Sequence, residues 1–443
     1  MQKNDQTSVD VNGVNPIPVE KREISSLWAY ILVFWSTAIC VPIIAIGTFM
    51  LQQGYNFYQI ILIGVLSGVV VAIAASLTSA PGLKYGIPFI IQLRSAFGYV
   101  GSKIAYLFRI IPAILWYGIS SWIAAEAIDE IIIQLFGATS HVFVYFVLLT
   151  IVHVILAYKG IKQIKWFNAL VSCAIFVMLI YFFAIIFIED RFDLTMYISR
   201  PWQWGFPFLA AVSTAIANWA TVLINNSDMT RQLKSDKMKK GFIGNILGIF
   251  PPWVAMVFFG LFIFVSTGTD DPVAGMMALA PNKTMGIILL LFIILAQISS
   301  NLTTSILPAG LAMQSVFHMK WSTSVIISSL LSMFTMPWVL FTADWFFVFQ
   351  NVYSCFLGPL FGVLAVDFWI VNKRSCDIEG LYHEESGKYR YFKGFSISGF
   401  AAIVLGAITS AVLLDTAWIF GALVAAIGYY VFKCVIKLDK QKN

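Results

Sequence analysis

Ala296-Gln297-Ile298-Ser299-Ser300-Asn301-Leu302-Thr303-Thr304-Ser305 is the stretch that decides the fold. It lies within one long apolar run, between Met285–Leu295 and Ile306–Ala312. In hydrocarbon an unpaired polar group costs several kcal/mol. The Ser, Thr and Asn side chains here, and the Gln, therefore need partners. Their own helical turn or a neighbouring helix can supply some. A bound solute in a lined site can supply the rest. So dense a polar stripe points to the lined site, and the rest of the chain is what must surround it.

The chain has 443 residues, 59% hydrophobic and only 11% charged, with a mean hydropathy of +0.84. Soluble domains carry about 25% charged residues, so this composition describes an integral membrane protein. A span takes about 20 apolar residues. Runs at 27–51, 59–80, 104–136, 142–158, 166–188, 206–227, 241–266, 284–312, 322–341, 345–371, 396–413 and 416–436 read as twelve transmembrane helices. No polar stretch is long enough for a soluble domain. The first run is too long for a signal-peptide core and lacks a small-residue exit, so it stays as a span. The five Cys are scattered over spans and one loop and imply no disulfide framework.

Charge sets the orientation. Of the 28 Lys and Arg, only Arg191, Arg200 and Lys283 fall on one side of this twelve-span reading. The others, from Lys21-Arg22 to the Lys-bearing tail, mark the cytoplasmic side and put both termini there. The basic excess is thus a topology signal and says nothing of nucleic acid.

Three further spans carry polar or helix-breaking groups. In the first, Pro42 has no N–H for the carbonyl of Ala38, and its ring pushes that carbonyl away. Backbone oxygens around Ser36 to Ile39 are then left free. In the third, Trp116 and Ser120 are four apart and share a face. In the sixth, Asn218 and Trp219 lie too deep for an interfacial belt. Ser-Thr-Ala-Ile occurs at 36–39 and again at 213–216, five spans later, a faint echo of an inverted repeat.

Several stretches resemble the nucleobase–cation symporter-1 family of permeases for cytosine, uracil, purines, allantoin and hydantoins. They are Gly86-Ile87-Pro88-Phe89 with Arg94-Ser95-Ala96-Phe97-Gly98, Leu115-Trp116-Tyr117-Gly118 running on to Asp129-Glu130, Asn218-Trp219 with Asp228-x-Thr230-Arg231, Leu357-Gly358-Pro359-Leu360 with Asp367, and Leu381-Tyr382 with Tyr389-x-Tyr391. The resemblance implies an all-α polytopic membrane protein with a LeuT-type core, as in the APC superfamily. It has two inverted five-helix repeats (27–188 and 206–371), two C-terminal helices (396–436), and cytoplasmic tails at 1–26 and 437–443. It implies a planar substrate between Trp116 and Trp219, oriented by Asn218, Ser120, Cys40 and Ser305, with Asn301 one turn away. It also implies a Na⁺ site from the backbone oxygens of Ser36, Ile39 and Ala296 and the hydroxyls of Ser299 and Ser300, and hard cations do prefer oxygen. The chain departs from the hydantoin-transporting branch, which has amide side chains at the positions of Cys40, Ser120 and Ser305. A thiol and two hydroxyls read the paired N–H and C=O edges of a ring less well.

The expected function is secondary active import of a nucleobase or related planar N-heterocycle across the plasma (inner) membrane, by alternating access and symport with Na⁺. Proton coupling is the alternative, and it normally wants an ionisable group facing the cavity. A membrane-embedded enzyme is the distant one. The four His are scattered, and no Ser of the polar stripe has a visible base. No cofactor, nucleic acid or obligate protein partner is expected beyond solute, ion and bilayer.

Overall fold

The first apolar run is not one helix. The computed structural model describes residues 14–158, 180–181, 184, 194–384 and 387–439, and in it helices α1 (Leu27–Ala38) and α2 (Val41–Gln52) meet at 48°. Pro42 is the cause. Ala38 finds no amide four residues on, and its carbonyl takes the Cys40 N–H instead, at 3.1 Å. Pro42 itself falls in the first turn of α2, where a missing N–H costs nothing.

The chain then runs through α3 (Phe57–Tyr85), the short α4 (Phe89–Phe97), α5 (Tyr99–Phe136) and α6 (Val142–Ala157). The span expected at 166–188, with Cys173, lies almost wholly outside the described residues. A second interruption follows, between α7 (Phe206–Asn218) and α8 (Ala220–Ile224), at Trp219. No Pro or Gly marks it. The Trp219 N–H turns to Ile216 O at 3.1 Å. Ala217 O is taken by the Tyr353 hydroxyl at 2.6 Å. Beyond lie α9 (Met238–Thr267), α10 (Lys283–Asn301), a wide π-turn over Leu302–Ile306, α11 (Leu307–Phe317), α12 (Trp321–Ser332), α13 (Ala343–Val366), α14 (Ile397–Val412) and α15 (Ala417–Tyr430).

The described residues form no extended strand, only two isolated bridges. Among the described residues six helices are long and apolar enough to cross a membrane, the bent α1–α2 pair makes a seventh, and four shorter apolar helices accompany them. One expected span is corrected. The run 322–341 is not continuous: α12 stops at Ser332, Met336 turns into the left-handed region (φ 50°) and a short helix restarts at Pro337. A proline disfavours helical geometry in the residue before it, so Met336 leaves the helical region and the chain restarts at Pro337.

Helix α9 packs against α1, α2 and α3, whereas α5 packs against α10. The α2–α9 crossing is close because both sides are glycine there. A Cβ on Gly260 would lie 1.9 Å from Ile44 O, and one on Gly47 would lie 2.3 Å from Val257 O. Polar groups inside are tied together. Tyr30 donates to Asn245 Oδ1 at 2.7 Å, and Asn226 donates to the same oxygen at 3.1 Å. Asn245 in turn donates to Ser79 Oγ at 3.1 Å, so α1, α3, α9 and the segment after α8 share one network.

Several basic residues, among them Lys84, Arg94 and Arg374, gather at one end. Lys84 Nζ reaches Arg374 O there, and Arg94 reaches Leu381 O, both at 2.8 Å. Arg22 is buried and crosses that end. It donates to Leu83 O at 2.7 Å, Leu233 O at 3.1 Å and Ile17 O at 3.1 Å.

Candidate functional site

The two interruptions face each other. Asn218, the last residue of α7, donates its side-chain amide to Pro42 O, at the start of α2, at 3.2 Å. On the third side stands the polar stripe of α10. Gln297 Oε1 accepts from Val41 N at 3.3 Å, and the Ser300 hydroxyl donates to Thr37 O at 3.3 Å. The broken ends of α1 and α2 are therefore completed by α10, not by their own helix.

Between these elements is a cavity of about 30 Å³ lined by Cys40, Pro42, Trp116, Ser120, Asn218, Trp219, Thr221, Val222, Ser300, Thr304 and Ser305. This space takes about one or two waters, so any larger solute enters only when the walls part. The indoles are braced from behind. Trp116 meets Phe349 at 5.2 Å and Phe346 at 6.1 Å between ring centres, and Trp219 meets Trp253 edge-on at 5.9 Å. Trp253 is itself fixed by donating to Ser67 Oγ at 3.1 Å. Braced rings are preorganised, which lowers the entropy cost of gripping a planar guest.

Six of the seven residues expected around a substrate — Trp116, Trp219, Asn218, Ser120, Cys40 and Ser305 — line this one cavity. Asn301 is not on its wall. Its amide donates across to Tyr117 O and Ser121 Oγ, both at 3.1 Å, and holds α10 to α5. The stripe thus divides its labour. Thr303 and Thr304 bond back to Ser299 O and Ser300 O at 2.7 and 2.8 Å, the inward-looking use of a helical hydroxyl. Ser300 and Ser305 face the cavity. Thr221 and Thr304 also line the cavity, beyond the residues expected at the substrate. Thr304 belongs to the stripe already singled out, and Thr221 is three residues past Asn218.

The residues expected around a cation cluster at the same break. The Cys40 amide, which would bond Ser36 O in an unbroken helix, goes to Ala38 O. The Ile43 amide goes to Cys40 O, and residue 42 is a proline, so Ile39 O has no helical donor. Ser36 and Ile39 carbonyls are thereby released at the end of α1. Ala296 and Ser299 are buried on α10, in the stripe whose Gln297 and Ser300 touch that break.

One buried charged group escaped the sequence reading. Arg109 stands on α5 amid apolar residues and is wholly buried. Its Nε donates to Asn225 Oδ1 at 3.2 Å, and its Nη2 donates to Thr304 O at 2.7 Å. Asn225 donates on to Asp228 at 3.1 Å, and Asp228 accepts the Phe89 amide of α4 at 2.7 Å. An arginine within an otherwise apolar span is the signal that could have found it.

A many-helix membrane protein with paired helix breaks around a polar cavity is built as a solute carrier. The chain belongs to the family of permeases for cytosine/purines, uracil, thiamine and allantoin, which it matches over residues 16–432. It is 25% identical over 431 residues to an allantoin permease of Bacillus subtilis, covering 88% of this chain and 86% of that one. It is 25% identical over 410 residues to a hydantoin permease of Microbacterium maritypicum, covering 89% and 82%. Among solved structures it shares its fold with Mhp1, a nucleobase-cation-symport-1 family transporter closed around bromovinylhydantoin (TM-score 0.84, 23% identity, 95% and 94% coverage). A Na⁺-coupled sialic acid symporter matches more distantly (TM-score 0.62, 15% identity, 92% and 89% coverage). The protein is accordingly a membrane permease and not an enzyme.

Proposed function

We propose that this permease imports a nucleobase or a related planar N-heterocycle, such as a purine or pyrimidine base, allantoin or a hydantoin. It does so across the plasma membrane, by Na⁺ symport and alternating access. The carrying observation is that two buried indoles from different helices, Trp116 and Trp219, line one cavity at the junction of two helix breaks. Offset stacking on aromatic faces adds about 0.5–1.5 kcal/mol per pair. Asn218, Ser120, Cys40 and Ser305 supply the polar edge that orients the ring. The names of the allantoin and hydantoin relatives support this substrate class.

The cation would sit where α1 ends, on the Ser36, Ile39 and Ala296 carbonyls and the Ser299 and Ser300 hydroxyls. The released carbonyls of Ser36 and Ile39 support that placement. In this reading twelve spans form two inverted five-helix repeats, 27–188 and 206–371, followed by 396–436, with both termini cytoplasmic. The two broken helices would be the equivalent first members of the repeats. The Ser-Thr-Ala-Ile echo then falls just before, or at, each break.

Proton coupling is the second reading, but its ionisable group would be the buried His153, which lies edge-on to Tyr117 at 5.4 Å and does not line the cavity.

The test is uptake into proteoliposomes of a panel of labelled bases, allantoin and hydantoins, with a Na⁺ gradient or with choline at matched pH. Accumulation driven by Na⁺ and lost in Trp116→Ala and Trp219→Ala is the expected result. Normal uptake by either variant would defeat the site assignment, and full uptake in choline would pass the coupling role to protons.

A further inference from the structure

We propose that Arg109 is the latch that shuts the cavity toward the basic end, and that its bond to Asn225 breaks and re-forms in every transport cycle. The inference rests on the transport reading above.

Arg109 lies on a hydrogen-bonded path that leads from the cavity wall toward α4. Thr304, whose backbone oxygen holds the guanidinium, lines the cavity, and Thr221 and Val222 line it four and three residues before Asn225. Beyond Asn225 come Asp228 and the Phe89 amide, then Arg94 at the basic end. Arg109 thus joins three elements: α5, the turn after α10, and the segment that leaves α8. The bond to Thr304 lies between α5 and its packing partner. The bond to Asn225 crosses to the broken helix, and so it is the one that must part for a solute to leave this way.

Two features mark a switch rather than a fixed strut. A charged side chain inside a span is costly, and it persists where it serves a pathway. In addition, the remaining guanidinium nitrogen, Nη1, is buried and has no hydrogen-bond partner. The closed arrangement leaves this donor unmet, whereas water entering from the basic end would meet it. Opening thus trades the Asn225 bond for water on the guanidinium, which gives the network two defined arrangements.

Cys40 reports on the latch because its thiol lines the cavity. The experiment uses the full-length protein with Cys173, Cys355, Cys376 and Cys434 changed to Ser. An impermeant maleimide is applied to either face of oriented vesicles. Arg109→Gln should speed Cys40 labelling from the basic face about fivefold or more, and lower the maximal uptake rate while leaving KM nearly unchanged. Arg109→Lys should restore part of the original labelling rate. Asn225→Ala, which keeps the arginine, should shift labelling the same way, and the double variant should add little further. Unchanged Cys40 labelling in folded Arg109→Gln or Asn225→Ala protein would overturn the proposal. Labelling that shifts in protein for which no heterocycle is ever accumulated would keep the latch and sink the substrate reading.

Discussion

Two asparagines of similar burial do different work. Asn218 sits on the cavity wall while bonding Pro42 O, whereas Asn301 spends its amide between α10 and α5. Asn218→Ala should weaken heterocycle binding by about tenfold, the value of roughly 1.4 kcal/mol, with a modest loss of stability. Asn301→Ala should cost about 1–2 kcal/mol of stability and leave the dissociation constant unchanged. Isothermal titration beside thermal melting separates the two, and a binding defect in Asn301→Ala would place that residue at the substrate after all. The sequence made Asn301 look like a site residue because it lies one turn from Ser305. Periodicity along one helix says which residues share a face, but not which neighbour that face meets. Arg109 was missed for a related reason. Counted among the basic residues, it looked like topology, although it stands seven residues before Trp116 on the same helix.

At the scale of elements, the two breaks differ in how they are written. That of α1–α2 is encoded locally, because Pro42 denies Ala38 its donor and the Ile43 amide then turns to Cys40 O, away from Ile39. Pro42→Ala returns an N–H to Ala38 and should let the helix run through. Uptake should then fall at least about tenfold, with the melting temperature held or raised. Retained uptake would mean that the break can be made without the proline. The α7–α8 break carries no breaker. It depends on Tyr353 from α13 and on the turn of the Trp219 amide, contacts that only the folded chain supplies. The sequence therefore revealed the first break and the apolar extents of most helices, but only a deep tryptophan at the second. The glycine crossing was likewise silent. Gly260→Ala should push α2 from α9 and cost about 1–3 kcal/mol, seen as a lower melting temperature. A neutral result would show that the backbone there can yield.

Across the whole molecule, packed or bonded side chains stand on both sides of the cavity. Toward the basic end stands the Arg109–Asn225–Asp228 chain. Toward the other end Phe49 packs edge-on against Phe346 at 5.2 Å and Phe347 at 6.1 Å. Past them lies a larger cavity of about 300 Å³, walled by Gln53, Tyr55, Thr214, Phe347 and Asn351 among others. Symport needs the ion and the solute to prefer the same arrangement, and here they would share one joint. The α1–α2 break offers carbonyls on one side and Cys40 and Pro42 to the cavity on the other, and Ser300 belongs to both. A cation drawing α10 onto the end of α1 would thereby fix the position of Cys40 and Pro42 before the heterocycle arrives. The two affinities must rise by the same factor, within the usual range of about 5–150-fold. The heterocycle should accordingly bind at least about fivefold more tightly in Na⁺ than in choline, and Na⁺ should gain the same factor when the heterocycle is present. Changing Ser299 and Ser300 together to Ala should abolish that factor while leaving sodium-free binding of the heterocycle within about threefold, because the stacking surfaces are untouched. Titration of each ligand with and without the other measures all four constants. Unequal factors would reveal a second ion site, and a factor that survives the double substitution would move the cation away from the end of α1.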